Sequence, residues 1–217
     1  MIALIIGATG ATGKELVKQL ENDNDFEEVH LFVRKELKDF NQKIKVHIVD
    51  FDHPEIWSNL VKGDVAFSCL GATLKAAGSK KAQYKVDVDY QFHFAKAAKK
   101  NQVEDFILVS AYGADSKSAI FYSRMKGDLE QKIKELNFNK LTIFQPGMLD
   151  RENSDRMGEV IGSKIIKFAN SLGLFKHQKP LPTAILAQAM INASKIKSNG
   201  YSKIKLATIF SFAEKKV

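Results

Sequence analysis

Short apolar runs alternate with stretches of helical periodicity along most of this 217-residue chain. Ile2–Ile6 is a five-residue apolar run ended by glycine. Leu16, Val17 and Leu20 then share one face of a helix that carries Lys14, Glu15 and Lys18 outside it. Residues 29–33 and 44–49 read as the second and third strands, and Pro54 suits the first turn of a helix through Trp57 and Leu60. A fourth strand is expected over 65–70, ended by Gly71, and a long helix over 82–100 with Val86, Tyr90, Phe94 and Ala97 on one side. A fifth strand at 106–109, a helix at 121–136 and a sixth strand at 141–144 follow, the last stopped by Pro146-Gly147. Strands that alternate with helices, and that are apolar on both faces, imply βαβ units in a mostly parallel sheet. Beyond Gly147 the pattern is irregular, with helices expected over 160–168 and 183–194. The fold class is therefore α/β, a Rossmann-type doubly wound sheet in a single domain over 1–217, in which residues 148–217 supply a small substrate cap.

Composition narrows the function classes. At 45% hydrophobic and 27% charged residues, the chain can bury a core and is not a disordered polymer. The single cysteine, Cys69, excludes an intramolecular disulfide framework and a multi-cysteine zinc site, and its place in a predicted strand suits a small core residue. The five histidines are dispersed without metal-ligand spacing, so no metal is expected. The start of the chain has no basic leader, and no apolar run approaches the roughly 18 residues that span a bilayer. A reducing cytoplasm and no membrane are expected. The net charge of +8 raises nucleic acid as a partner, but 29 of the 33 cations are Lys. Arginine stands only at 34, 124, 151 and 156, and no helix-turn-helix, zinc-finger or RNA-binding motif accompanies the lysines. A solvated lysine surface is the favoured reading, and nucleic acid is disfavoured.

The first strand runs into Gly7-Ala8-Thr9-Gly10-Ala11-Thr12-Gly13 and then a helix. Glycines there permit a tight turn, close approach of backbone to a pyrophosphate and tight helix–strand packing, while the helix start offers free N–H groups to phosphate. The end of the second strand discriminates between nicotinamide cofactors: a carboxylate accepts the ribose 2′-hydroxyl of NAD, and Arg suits the 2′-phosphate of NADP. This chain has Arg34-Lys35 there, with no carboxylate until Glu36, which favours NADP(H) over NAD(H). Asp50, after the third strand, and Gly71, after the fourth, occupy positions expected to border the adenine and the cofactor backbone.

Tyr122 and Lys126 are spaced i to i+4 and so share a helical face. A neighbouring ammonium favours a phenolate, and lowering a phenol from about 10 towards 7 requires roughly 4 kcal/mol. That calls for a partly buried site. Tyr122 could then exchange a proton with a carbonyl or alcohol oxygen while hydride moves at carbon. Ser110, at the end of the fifth strand, could hydrogen-bond that oxygen.

These residues resemble, in their order, the short-chain dehydrogenase/reductase superfamily, as an atypical member. Residues 69–73, 86–90, 113–115, 126–130 and 144–147 are similar to the Tat-interacting-protein oxidoreductase group within it. The resemblance implies that Thr9, Gly10, Ala11 and Thr12 line the pyrophosphate turn, that Arg34 and Lys35 hold the 2′-phosphate, and that Leu70 and Gly71 lie against the cofactor. It makes Tyr122 and Lys126 catalytic, Lys126 reaching the nicotinamide ribose, and brings Leu149 and Arg156 to the cofactor. Ala111 and Gln145 depart from the group, which often has a second Ser and an Arg there. The expected activity is NADP(H)-dependent reduction or oxidation of a small carbonyl/alcohol pair by Tyr122, Lys126 and Ser110. The alternative is a non-catalytic NADP(H) sensor or protein-interaction regulator. The oligomeric state, monomer or homodimer, is left open.

Overall fold

The computed structural model describes residues 1–150 and 180–215. Its elements are β1 (Ile2–Ile6), α1 (Ala11–Glu21), β2 (Glu28–Val33), β3 (Ile44–Ile48), α2 (Pro54–Trp57), β4 (Val65–Ser68), α3 (Leu74–Ala77), α4 (Lys80–Tyr84) and, after a π-type turn over Lys85–Asp89, α5 (Tyr90–Lys100). Then come β5 (Asp105–Val109), α6 (Phe121–Lys134), β6 (Lys140–Gln145), β7 (Leu149–Asp150), β8 (Leu181–Pro182), α7 (Thr183–Lys195), β9 (Gly200–Lys205) and α8 (Leu206–Ala213).

Seven strands form one sheet in the order β3-β2-β1-β4-β5-β6-β9, and every pairing is parallel. Alternate residues feed two cores. Ala3, Ile5, Phe67 and Ile107 face α1, α7 and α8, where Leu16, Leu20, Leu186, Met190 and Ile209 meet them. Leu4, Ile6, Phe106 and Leu108 face the other way, against Trp57, Phe94, Leu129 and Ile133. The apolar strands read from sequence are buried on both faces for this reason. The strand order reverses between β1 and β4, and in such sheets ligands bind outside the carboxyl ends at that point.

The C-terminal third differs from expectation. The helix expected at 183–194 is α7, but residues 200–213 complete the sheet and its first helical layer. A seventh strand was not read there because β9 is an edge strand with a single buried residue, Ile204. The remainder of the expected cap, with its helix at 160–168, lies outside the described residues. Among the described residues no helix is long and apolar enough to cross a membrane, and no group of three ligands could hold a metal.

Candidate active site

The turn after β1 is shaped by backbone contact. Gly7 has φ +88°, and a β-carbon there would lie 2.5 Å from the carbonyl carbon of Cys69. A β-carbon on Gly13 would overlap the Gly7 carbonyl oxygen, so α1 can start this close to β1 only with glycine. Gly10 is the N-cap of α1, with no side chain capping the helix and no acidic residue in its first turn. The first-turn N–H groups of Ala11, Thr12 and Gly13 are thus left to an external acceptor. A β-carbon on Gly10 would lie 3.3 Å from the Gly7 carbonyl oxygen, a tight contact, and 3.9 Å from that of Cys69, so glycine also suits this position. Thr9 is exposed and Thr12 is buried beneath the turn.

Arg34 and Lys35 are both exposed just past β2, and neither has a polar partner among the described residues. Glu36, the nearest carboxylate in sequence, lies 3.5 Å from Lys38. Two free cations at this strand end, with uncapped N–H groups at α1, suit a dinucleotide with an added phosphate. Asp50 is exposed; its carboxylate accepts the Asp52 N–H at 2.9 Å and its carbonyl accepts the Trp57 indole N–H at 2.7 Å. It therefore shapes a turn, whatever else borders it. Leu70 and Gly71 follow β4, half-buried and exposed. Leu149 packs half-buried against the first core beside β8, and Arg156 lies outside the described residues.

On α6 the Tyr122 side chain is exposed at 41%, and its hydroxyl has no partner among the described residues. One turn on, Lys126 is buried at 3% and pairs with Asp87 at 2.8 Å. Burial pulls the Lys126 ammonium down, but Asp87, with Tyr122 and Glu130 assisting, holds it above the usual lysine range. It therefore stays charged. The helix is held in place at Gly127, where a side chain would collide with the backbone of Asp115 and Ser116, and by the Asp115 N–H donating to the Ser123 carbonyl at 3.0 Å.

Ser110 is brought close but used differently. Its hydroxyl donates to Glu130, which also accepts Gln145 Nε2 at 2.8 Å and pairs with Lys203 at 2.8 Å. In this arrangement the Ser110 proton is directed to Glu130, inside the protein. Gln145, where the group often has Arg, is thus engaged with this buried carboxylate. Cys69 is half-buried against the first core, and its thiol, pushed up by burial to about 12, is no nucleophile. His30 and His47 bond to each other at 3.0 Å, and His30 to Glu28 at 2.8 Å, while His177 lies outside the described residues.

The residue that sequence reasoning missed is Asp87, buried at 1%. A signal was present: Gln83, Asp87 and Gln91 recur every fourth residue, and all three are buried. Following the apolar positions instead put the buried face one residue away.

A family profile for NAD(P)H-binding proteins matches residues 7–170, from the glycine turn through α6 and β6. The chain belongs to that NAD(P)H-binding family. Protein HTATIP2 of Rattus norvegicus is 34% identical over 194 residues, 87% of this chain and 78% of the relative, which bears out the resemblance read from sequence. Protein FMP52-1, mitochondrial, of Scheffersomyces stipitis is 31% identical over 202 residues, 90% of this chain and 88% of the relative. The oxidoreductase ylbE from Lactococcus lactis superposes with a TM-score of 0.68 at 21% identity, over 99% of this chain and 95% of that one, and shares the fold. The family gives this chain an NAD(P)H-binding architecture. The expected cytoplasmic location is overturned by the yeast relatives, which are named mitochondrial. Cysteine usage could not have settled it, because one half-buried thiol suits any compartment that keeps thiols reduced.

Proposed function

We propose that this member of the NAD(P)H-binding family is an NADP(H)-dependent oxidoreductase acting on a carbonyl/alcohol pair. The observation that carries the proposal is an exposed, unpartnered Tyr122 hydroxyl one helical turn from a buried, charge-held Lys126. Bound NADP(H) supplies or accepts the hydride at the substrate carbon. The glycine turn and the N–H groups of α1 hold the pyrophosphate, Arg34 and Lys35 hold the 2′-phosphate, and Leu70, Gly71 and Leu149 form walls. Tyr122 gives its proton to the substrate oxygen during reduction and takes it back during oxidation. The Lys126 ammonium stabilises the negative charge left on the tyrosine oxygen. Ser110 acts behind the site, through Glu130, and does not hold the substrate oxygen.

The test is calorimetric titration of NADPH and NADH into wild type and Arg34→Ala, followed by a carbonyl-substrate screen with Tyr122→Phe as control. NADPH should bind more tightly than NADH, and Arg34→Ala should weaken NADPH by roughly 1–3 kcal/mol while leaving NADH nearly unchanged. Tyr122→Phe should bind NADPH normally and lose at least about a hundredfold in turnover. Binding of neither nucleotide would sink the reading. The occupied Ser110 hydroxyl favours a second reading, a nucleotide-responsive regulator. Tight NADPH binding with no turnover of any carbonyl would decide for it.

A further inference from the structure

Asp87 is a nearly inaccessible carboxylate that the proposed chemistry does not use. It sits in the π-type turn that joins α4 to α5, and such turns in helices are frequent at functional sites. Together with Gln83 and Gln91 it lays a polar stripe against the end of β4. Gln83 Nε2 donates to the Ala72 carbonyl at 2.7 Å, and Asp87 Oδ2 accepts the Ala72 N–H at 2.8 Å. Gln91 accepts the Ser68 hydroxyl at 2.7 Å and donates to the Asp87 carbonyl at 2.6 Å. Both backbone groups of Ala72 are thus held by side chains, immediately after the Leu70-Gly71 wall.

The other Asp87 oxygen, Oδ1, lies 2.8 Å from Lys126 Nζ, with the two side chains 1% and 4% exposed. A buried carboxylate is costly unless it is both paired and hydrogen-bonded, and Asp87 is both. An ammonium has three protons. Asp87 engages one of them, which leaves two.

We propose that Asp87 is the positioning residue of the site: it keeps Lys126 as an ammonium with two protons free for the hydroxyls of a nucleotide ribose, and through Ala72 it fixes the cofactor wall to the same point. This rests on the reading of Tyr122 and Lys126 given above. Remove the carboxylate charge and burial acts on Lys126 against only the weaker pulls of Tyr122 and Glu130, which favours the neutral amine. Replacement by Asn keeps the shape and an acceptor oxygen but removes the charge.

The test combines lysine side-chain NMR on nucleotide-free protein, with Lys126 assigned through the signal lost in Lys126→Met, and calorimetry with NADPH at pH 6.5 and 9. In wild type, Lys126 should remain protonated across this range and the affinity should change by less than about twofold. In Asp87→Asn, the Lys126 midpoint should fall to about pH 8 or below, so that at pH 9 about nine in ten copies carry a neutral amine, and NADPH should then bind roughly tenfold more weakly at pH 9 than at pH 6.5. A Lys126 titration like that of wild type, or an affinity equal to wild type at both pH values, overturns the proposal. The two readings fail separately: absence of NADPH binding by wild type removes the oxidoreductase reading, while the nucleotide-free titration still reports what Asp87 does to Lys126. Should Asp87→Asn not fold, Asp87→Glu keeps the charge one methylene further out. Lys126 should then titrate as in wild type while NADPH affinity drops several-fold, and an unchanged affinity overturns the positioning role.

Discussion

At Gly7 the backbone is left-handed and a side chain would strike the Cys69–Leu70 peptide; at Gly10 the backbone has φ −77° and a β-carbon would make one tight contact, 3.3 Å from the Gly7 carbonyl oxygen. The two glycines therefore answer to different demands, and alanine separates them. Gly7→Ala should cost at least about 2 kcal/mol in urea unfolding, from strain at positive φ and the collision with the Cys69–Leu70 peptide just past β4. Gly10→Ala should fold within about 1 kcal/mol of wild type, yet weaken NADPH in calorimetry, because its methyl occupies the space in front of the uncapped helix end. Normal NADPH affinity in Gly10→Ala would remove the pyrophosphate from this turn. Gly7 and Gly13 were legible from the sequence, since glycine spacing after an apolar run announces a tight turn locally. Ser110 and Asp87 were not. Their roles depend on which buried group stands opposite, Glu130 for one and Lys126 for the other, and those partners are 20 and 39 residues away in the chain.

Among the elements, the first six strands were legible because five are largely apolar runs and β3 alternates Ile44, Val46 and Ile48 with polar positions, whereas β9 exposes most of its length and reads as a polar loop. The helix expected over 82–100 is interrupted by the π-type turn, whose extra residue shifts the buried face and brings Asp87 inward. At the opposite edge of the sheet, α7 ends where Lys140 donates to the carbonyls of Ala193 and Ile196, at 2.6 and 2.9 Å. Asp105 lies 2.8 Å from that same ammonium, but burial outweighs the attraction and raises its carboxyl to about 6. The native state therefore holds the Asp105 proton more tightly than the unfolded chain, whose carboxyl has an ordinary value near 3.8. From about pH 4 to 6 this group takes stability away as pH rises, and above 6 the penalty is constant. Asp105→Asn has no such proton. Relative to it, wild type should gain up to about 3 kcal/mol as pH falls from 7 to 4, measured by urea unfolding at several pH values. A difference that stays flat with pH would show that Lys140 fully compensates the buried charge.

For the whole molecule, the glycine turn and α6 are held in register by a sheet whose last strand comes from the far end of the chain. Six residues of β9 pair with β6, and Lys203 on that strand supplies the cation facing buried Glu130. Beyond it, α8 turns its carbonyl end to Asn192, whose amide donates to Phe212 and Ala213 at 2.9 and 3.1 Å. Ile209 and Ile204 fill the first core, which also receives Ile5 and Leu16 from the glycine-turn unit. A chain ending at Asn199 would uncover the edge of β6, strand Glu130 without its cation and leave the α7 amide unpartnered. Lys203 is one-third exposed, so losing it from Glu130 costs about 1 kcal/mol, while losing the two buried isoleucines adds roughly 2 kcal/mol or more each and the six-residue ladder goes with them. Set against a typical stability of about 5–15 kcal/mol for a domain, that loss is enough to abolish cooperative folding. The truncated protein should show no sigmoidal urea transition and no calorimetric response to NADPH, even though every residue assigned to the nucleotide is present. If it instead unfolds cooperatively and binds NADPH as wild type does, the seventh strand is an accessory, and the site is organised by the six-strand unit.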